Sequence, residues 1–430
     1  MLLYFFKKRL KNIQTDFSCS VKFYDGDEIS YGDKDKNTFT LNINNVRALR
    51  KSVLKGDLGF LEAYLDGDVD INGSIVDFVA FGRQVSGIEK KQVATVTLFQ
   101  KLYDHYHEWR YGNHSLVQAV KNAKFHYNLG SENLFFHYLD AKSPYNVAPT
   151  YTCAYWKEGT KDLNEAQFNK LDHVCRKVQL QPGDSLVDVG GGWGSLLFHA
   201  VERYGIAHGL NISPTPDQNR WMQSKLEELG LQDRLSIREA DFRQIDGLEG
   251  TFDKYISTGV YEHAGRPQLE AWIKAMSELL KPGGKGVLHF IGKQDESITH
   301  AFIRKHVFPG GYLPSLGETV DLMKQYGLEM LDVENLRRHY ALTLAEWAKN
   351  FYESWPQIQA TNPAVFDERF RRTWHLYLWL CVGAFERQDA GIGLYQITFS
   401  KGWTEDYPMS RQFLYDDVPE PTPSKFKART

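Results

Sequence analysis

The hydrophobic pattern is most regular between Leu163 and Ile291, where short apolar runs alternate with stretches of helical spacing. Phe168, Leu171, Val174 and Val178 mark a helix for which Asn164 is the expected N-cap. Ser185–Val189, Ala207–Ile212, Leu235–Ala240, Lys254–Thr258 and Gly286–Ile291 read as strands. Pro216–Leu229 and Gln268–Leu280 read as helices between them, and Lys281-Pro282-Gly283-Gly284 as a turn into the last strand. Strands alternating with helices predict an α/β fold built on a mostly parallel, doubly wound sheet.

Before that stretch the pattern is mixed. Residues 1–100 combine short strands with amphipathic helices and read as a smaller N-terminal α/β domain. Val46, Leu49 and Val53, with basic residues between them, predict a helix across Asn45–Lys55. The acidic, glycine-containing stretch Tyr64–Gly73 lacks the register and terminal Glu of an EF-hand, so hairpin turns are expected there rather than a calcium loop. Residues 101–150 read as a connector. The chain is helical and aromatic from about Gln92 to Tyr127, then an irregular Tyr/Phe/Asn-rich loop over Gly130–Thr152. Residues 151–415 form the larger domain and 416–430 a polar, Pro-rich tail. At 430 residues the chain exceeds what one hydrophobic core usually covers, in keeping with this division.

Composition narrows the class. An apolar fraction of 42% with a net charge of -3 fits a globular protein and gives no electrostatic case for nucleic acid. Met1–Phe6 is too short to span a bilayer, and its charges follow the apolar run, the wrong order for a secretory signal. A cytoplasmic location is the resulting expectation. Cys19, Cys153, Cys175 and Cys381 are widely spaced and form no metal-type cluster, so reduced thiols and no metal site are expected. The chain is rich in aromatic residues after Phe308, including Tyr312, Trp347, Phe351, Tyr352, Trp355, Phe366, Phe370 and Trp374. Such a run suits either a large apolar cavity or a well-filled core.

The candidate chemistry starts at Val187-Asp188-Val189-Gly190-Gly191-Gly192-Trp193-Gly194, where a strand hands over to a helix. The spacing is GxGxG with a bulky Trp193, not the GxGxxG of a pyrophosphate loop. A dinucleotide site needs an acid about 20 residues on; Asn211 and Ser213 stand there. No Lys-Ser/Thr follows, which excludes a phosphate-cradling loop. Asp241 ends the third strand, where an adenine amino group would be bound. The motif therefore points to S-adenosylmethionine, with a plain structural turn as the alternative.

Several separate motifs then agree: Tyr151–Lys157 (YTCAYWK), Val187–Gly194, Tyr261–Gly265 (YEHAG), His289–Gly292 (HFIG), Phe308–Ser315 (FPGGYLPS) and Gly383-Ala384-Phe385. In this order and spacing the sequence resembles the cyclopropane-fatty-acyl-phospholipid synthase family and its mycolic-acid relatives, over roughly Phe125 to Ser400. The resemblance implies a Rossmann-like methyltransferase fold for 151–415, with an acyl-chain pocket. It implies methyl transfer from S-adenosylmethionine to the cis double bond of an unsaturated phospholipid, with bound bicarbonate removing a proton to close a cyclopropane. By the same resemblance the bicarbonate cage is Cys153, Glu262, His289, the backbone of Ile291, and Tyr340. The cofactor would be lined by Tyr151, Thr152, Gly190, Gly192, Asn211, Gln218, Asp241 and Phe242. Peripheral membrane association is expected through Lys7, Lys8, Arg9, Lys11, Arg47, Arg50, Lys51 and Lys55 of the N-terminal domain, with an ordinary solvated face as the alternative. A homodimer is expected by family analogy.

The sequence also departs from the family's pattern. Gly191 stands where Cys is common, Asn211 where Thr is common, and Ser213–Gln218 is two residues longer before the Gln. Within the family the same first step can instead leave a methyl or methylene branch. A small-molecule methyltransferase would not need the Cys/Glu/His/Tyr set, and a non-catalytic lipid-binding protein would not need a working cofactor site.

Overall fold

The computed structural model describes residues 2–89, 106, 109–110, 112–113, 115–127, 129, 134–140, 148–294, 299–386 and 391–416. The Pro-rich tail beyond 416, most of the connector before 115, and much of the Gly130–Thr152 stretch lie outside them. The chain divides into two compact units. One comprises Met1–Arg110, His300–His306 and Trp355–Gly383; the other comprises Tyr111–Thr299, Val307–Ser354 and Ala384–Thr430. The first unit thus takes two late segments as well as the N-terminal region. Among the described residues no helix is long and apolar enough to cross a membrane.

In the first unit, strands β1 (Cys19–Phe23), β2 (Glu28–Tyr31), β3 (Phe39–Ile43) and β4 (Val69–Gly73) form a sheet in the order β2-β1-β3-β4. β1 and β3 are parallel, while β2 and β4 pair antiparallel on the two edges. Phe39, Leu41 and Ile43 are buried and alternate with half-buried positions, so one face is sealed. Phe39 meets Phe78 and Phe81 of the helix Ile75–Glu89. The helix expected from Asn45 runs over Val46–Leu65. The Asn45 side chain caps it by accepting from Arg47 N and Ala48 N, and Gly56, at φ 58 and ψ -136, kinks it. The Tyr64–Gly73 stretch is the end of this helix, a turn, and β4.

The second unit holds a seven-stranded sheet in the order β10-β11-β9-β8-β5-β6-β7. Its strands are β5 (Ser185–Val189), β6 (His208–Ile212), β7 (Leu235–Arg238), β8 (Phe252–Thr258), β9 (Leu280–Lys293), β10 (Leu328–Asn335) and β11 (Ile392–Lys401). β5 to β9 are parallel neighbours, and β11 runs antiparallel to both β9 and β10. Val187, Val189, Ile212, Ile256, Val287 and Leu288 are all buried, as expected for strands covered on both faces. The chain moves outward from β5 to β6 and β7, then crosses to β8. This reversal opens a crevice at the carboxyl ends of β5 and β8, where open α/β sheets bind ligands.

Three local expectations need correction. The helix Leu163–Lys177 is capped by Asp162, whose Oδ1 accepts from Glu165 N at 2.9 Å, and not by Asn164. The strand expected at Gly286–Ile291 extends over Leu280–Lys293. Leu280 pairs with Phe252 of β8, but pairing resumes only at Lys285 with Lys254, so Lys281–Gly284 bulge out of the ladder where the turn was expected. Within the stretch expected to be irregular, Leu134–Leu139 is a short helix.

Candidate active site

The crevice contains a cavity of about 1280 Å³, counted out to its open mouth. At its floor β5 ends in the glycine loop. Gly190 N donates to Ile212 O at 2.8 Å, and Gly190 has φ 80, with a side chain excluded by Val260 2.5 Å from where a Cβ would lie. Gly191 is constrained differently: a Cβ there would fall 2.5 Å from Asp188 Oδ2 and 2.9 Å from Asn211 Oδ1. The fully buried Asn211 fills this space. Its Oδ1 accepts from Gly191 N at 3.1 Å and its Nδ2 donates to Gly192 O at 3.2 Å.

Of the eight residues assigned to the cofactor, Tyr151, Thr152, Gly190, Gly192, Gln218, Asp241 and Phe242 line the cavity; Asn211 does not. Asn211 sits behind the loop and clamps it. Gln218 reaches the cavity next to Gly192 despite the longer segment before it. The Asp241 carboxylate is held by Arg243, from Nε at 2.6 Å and from a terminal nitrogen at 3.0 Å. Phe242 packs on Trp272, with ring centroids 4.3 Å apart.

The opposite wall is the segment around Tyr151, whose φ of 25 is strained for a side-chain-bearing residue. Buried Asp140 holds it there. Asp140 Oδ2 accepts from Thr150 N and Tyr151 N, while Oδ1 accepts from Gln167 Nε2 and Trp347 Nε1. The Tyr151 ring stacks on Trp347 at 4.6 Å. Thr343, one turn before Trp347 on the helix Arg337–Thr361, accepts from Ala154 N and Trp156 Nε1, both at 3.1 Å. His339 Nδ1 accepts from Trp156 N at 2.9 Å. One helix face thus fixes the strand of chain that carries Cys153.

The five cage residues lie one layer behind the cavity wall: none borders the cavity itself. Cys153 follows Thr152 and Glu262 precedes His263, both of which do, and His289 O accepts from Gly259 N of the wall. Glu262 and Ile291 are in direct contact, the Ile291 amide donating to Glu262 Oε1 at 3.1 Å. That amide is therefore committed to the carboxyl group. Tyr340 is buried, its ring 4.8 Å from Phe385 and at right angles to Trp347. Among the described residues, Glu262 Oε2 and His289 Nε2 are buried without a partner, as is Oε1 of Gln396, the side chain bonded to His289.

Electrostatics sharpen the picture. Burial pushes the Glu262 carboxyl up to about 7 and the His289 imidazole down to about 3. Gln396 Nε2 donates to His289 Nδ1 at 3.0 Å, so the neutral ring carries its proton on Nε2, the unpartnered nitrogen. The Cys153 thiol is pushed well above its ordinary value by burial. Asp140, Thr343, His339 and Gln396 were not found by sequence reasoning. The aromatic residues expected to form an acyl channel do not border this cavity; Trp355, Phe370 and Trp374 stack on one another in the first unit, and Tyr352 is exposed. Lys7, Arg47, Lys51 and Lys55 are engaged with acidic residues, Lys7 with Asp27, Arg47 and Lys51 with Asp68, and Lys55 with Glu62.

A doubly wound sheet whose first strand opens a GxGxG turn onto a cavity at the strand ends, with an acid at the end of the third strand, defines an S-adenosylmethionine-dependent methyltransferase. Comparison with known proteins specifies it further. The family model described as mycolic acid cyclopropane synthetase matches residues 114–397, and the chain belongs to that family. A second model, described as a domain of unknown function, matches residues 5–88. The chain is 33% identical over 298 residues to a Pseudomonas putida protein named "Probable fatty acid methyltransferase", covering 66% of this chain and 74% of that one. It is 31% identical over 376 residues to the cyclopropane-fatty-acyl-phospholipid synthase of Escherichia coli K12, covering 84% of this chain and 88% of that one. Among solved structures, mycolic acid cyclopropane synthase CmaA1 complexed with SAH and CTAB superposes with a TM-score of 0.58 at 27% identity, covering 66% of this chain and 98% of that one.

Proposed function

We propose that this enzyme transfers the methyl group of S-adenosylmethionine to the cis double bond of an unsaturated phospholipid acyl chain and closes a cyclopropane ring, with bicarbonate held by Glu262, His289, Cys153 and Tyr340. The observation that carries this reading is the pair of buried, unpartnered atoms Glu262 Oε2 and His289 Nε2. Buried polar groups are normally satisfied, and an N–H donor and a carboxyl oxygen that can exist in either protonation state, both left without a partner, match a small oxyanion able both to accept and to donate. A methyltransferase acting on an amine or a phenol has no use for such a dry pair.

When bound, S-adenosylmethionine supplies an electrophilic methyl group and bicarbonate a proton acceptor. The glycine loop and Tyr151–Thr152 hold the methionine end, and Asp241 and Phe242 hold the adenine end. Asp140 and Thr343 keep the Tyr151–Trp156 segment rigid, which fixes the orientation that a weakly nucleophilic alkene needs. His289 Nε2–H donates to an anion oxygen. Glu262, with its carboxyl near half-protonation at neutrality, adds a proton donor at Oε2 and avoids two bare negative charges side by side. Cys153 stays a thiol because of its burial, so it offers no nucleophile to trap a cation. Water is kept out by burial: Cys153, Glu262, His289 and Tyr340 are each 9% exposed or less.

The lipid acceptor draws support from the relatives, one named for fatty acids and one for phospholipid acyl chains. It also draws support from the first unit, where Tyr4, Phe5, Val53 and Leu54 are exposed apolar groups and Lys8, Lys11 and Arg50 are exposed cations. Exposed apolar and basic side chains on the same unit suit the headgroup region of an anionic bilayer, which makes peripheral association the reading for this unit. The test of the cage is Glu262→Gln. We expect turnover on unsaturated phospholipid vesicles to be abolished while S-adenosylhomocysteine binding changes by no more than about threefold; full activity in this variant would reject the assignment.

A further inference from the structure

The helix Leu163–Lys177 carries two fully buried lysines with different surroundings. Lys177 is paired, its Nζ lying 2.7 Å from Glu334 Oε2. Lys170 is not. Its Nζ donates to Thr152 Oγ1 at 2.7 Å, and among the described residues no carboxylate lies within ion-pair distance of it. The two nearest acids in its field are unsuited to the task. Asp140 already accepts four N–H bonds, and burial pushes Asp188 up to about 7, toward its neutral form. An ammonium buried with one hydroxyl partner and no carboxylate within ion-pair distance is costly unless an anion completes it. Lys170 and Thr152 both line the cavity, so the missing charge has a route of entry.

We propose that Lys170 is an anion-binding residue of the active site, its ammonium pairing across the cavity wall with a small carboxylate-type anion that arrives with the ligands. The anion has two possible sources, the amino-acid carboxylate of the methionine moiety and bicarbonate. The first would approach from the side of the glycine loop, the second from the side of Cys153 and His289. Both sides are near Lys170: its charge acts on His289, and Cys153 lies in its own field. The lysine keeps its proton at neutral pH, burial lowering it only to about 8. This assignment rests on the reading of the cavity as an S-adenosylmethionine site.

The test is calorimetric binding in bicarbonate-free buffer of S-adenosylhomocysteine and of 5′-methylthioadenosine, which lacks the amino-acid carboxylate. It uses wild type, Lys170→Met and Lys170→Arg, each also melted with and without added bicarbonate. If the cofactor carboxylate is the partner, Lys170→Met weakens S-adenosylhomocysteine by about tenfold or more and leaves methylthioadenosine within about threefold, while Lys170→Arg retains most of the affinity. If bicarbonate is the partner, S-adenosylhomocysteine is unaffected, and the rise in melting temperature that bicarbonate gives the wild type vanishes in Lys170→Met. Loss of neither overturns the proposal. Should Lys170→Met fail to fold, wild type alone decides: equal affinity for S-adenosylhomocysteine and 5′-methylthioadenosine, with no stabilisation by bicarbonate, overturns it. Failure of wild type to bind either nucleoside would instead overturn the methyltransferase reading beneath it.

Discussion

Asn211 holds Gly191 from below: its Oδ1 accepts from the Gly191 amide at 3.1 Å and, together with the Asp188 carboxylate, closes the place a Gly191 side chain would need. The two departures from the family's usual residues, Gly at 191 and Asn at 211, are therefore in direct contact, with Asp188 closing the same space. Gly191→Ala alone should overpack this spot and weaken S-adenosylhomocysteine binding by about 1–2 kcal/mol. In an Asn211→Thr background the same change should cost less. Measured affinities of the four proteins should show a coupling of about 0.5 kcal/mol or more; strict additivity would mean the two positions are independent.

Thr343 is expected to matter for structure more than its position on a long helix suggests. Thr343→Val leaves a buried donor, Ala154 N, and a half-buried one, Trp156 Nε1, without their acceptor. The expected loss is about 2 kcal/mol or more in urea denaturation, with Thr343→Ser restoring most of it. Because these bonds fix the segment holding Cys153, kcat should fall in Thr343→Val as well.

The raised Glu262 carboxyl links stability to pH. In the native state it takes up its proton at about 7 rather than 4.5, so between those values the folded protein binds more protons than the unfolded chain. Its contribution is complete below pH 4.5 and is lost as pH rises through about 7. Asp188 acts in the same direction, and the lowered His289 acts oppositely between about 3 and 6.5. Comparison with Glu262→Gln isolates the one group. Without ligands, the variant should gain on wild type by up to roughly 3 kcal/mol as pH rises across that window. Parallel stability curves would contradict the buried placement of Glu262.

The exposed apolar groups of the first unit give a membrane test. Phe5→Ser with Leu54→Asp should reduce co-sedimentation with anionic phospholipid vesicles by about tenfold at low salt, leaving S-adenosylhomocysteine binding unchanged. Unaltered sedimentation would remove this face from the account.

The doubly wound sheet was legible in the sequence because strands buried on both faces read as apolar runs. β5 was bounded correctly for that reason. The cap of the helix Leu163–Lys177 was misread, although Asp162 with Glu165 three residues on carries the usual start signal. Lys281–Gly284 leave the ladder as the Pro-Gly-Gly turn implied, but β9 begins before its expected start because Leu280 pairs with Phe252, a tertiary effect that no local pattern announces. The same holds for the supports of the site. Asp140 and Trp347 are 207 residues apart in the chain, and Gln396 meets His289 only because β11 pairs with β9. Asn211 was expected to line the cofactor by the chain's resemblance to the family. The space left by Gly191, which draws it under the loop, becomes evident only in three dimensions.

The chemistry proposed for the acyl chain is tested most directly by isotope retention. The enzyme is incubated with unsaturated phospholipid vesicles and S-adenosylmethionine bearing a trideuterated methyl group, and the acyl chains are analysed by mass spectrometry. Cyclopropane closure removes one hydrogen isotope from the transferred methyl, so the account predicts products carrying two of the three deuteriums. A saturated branch retaining all three, or unmodified chains, would contradict it.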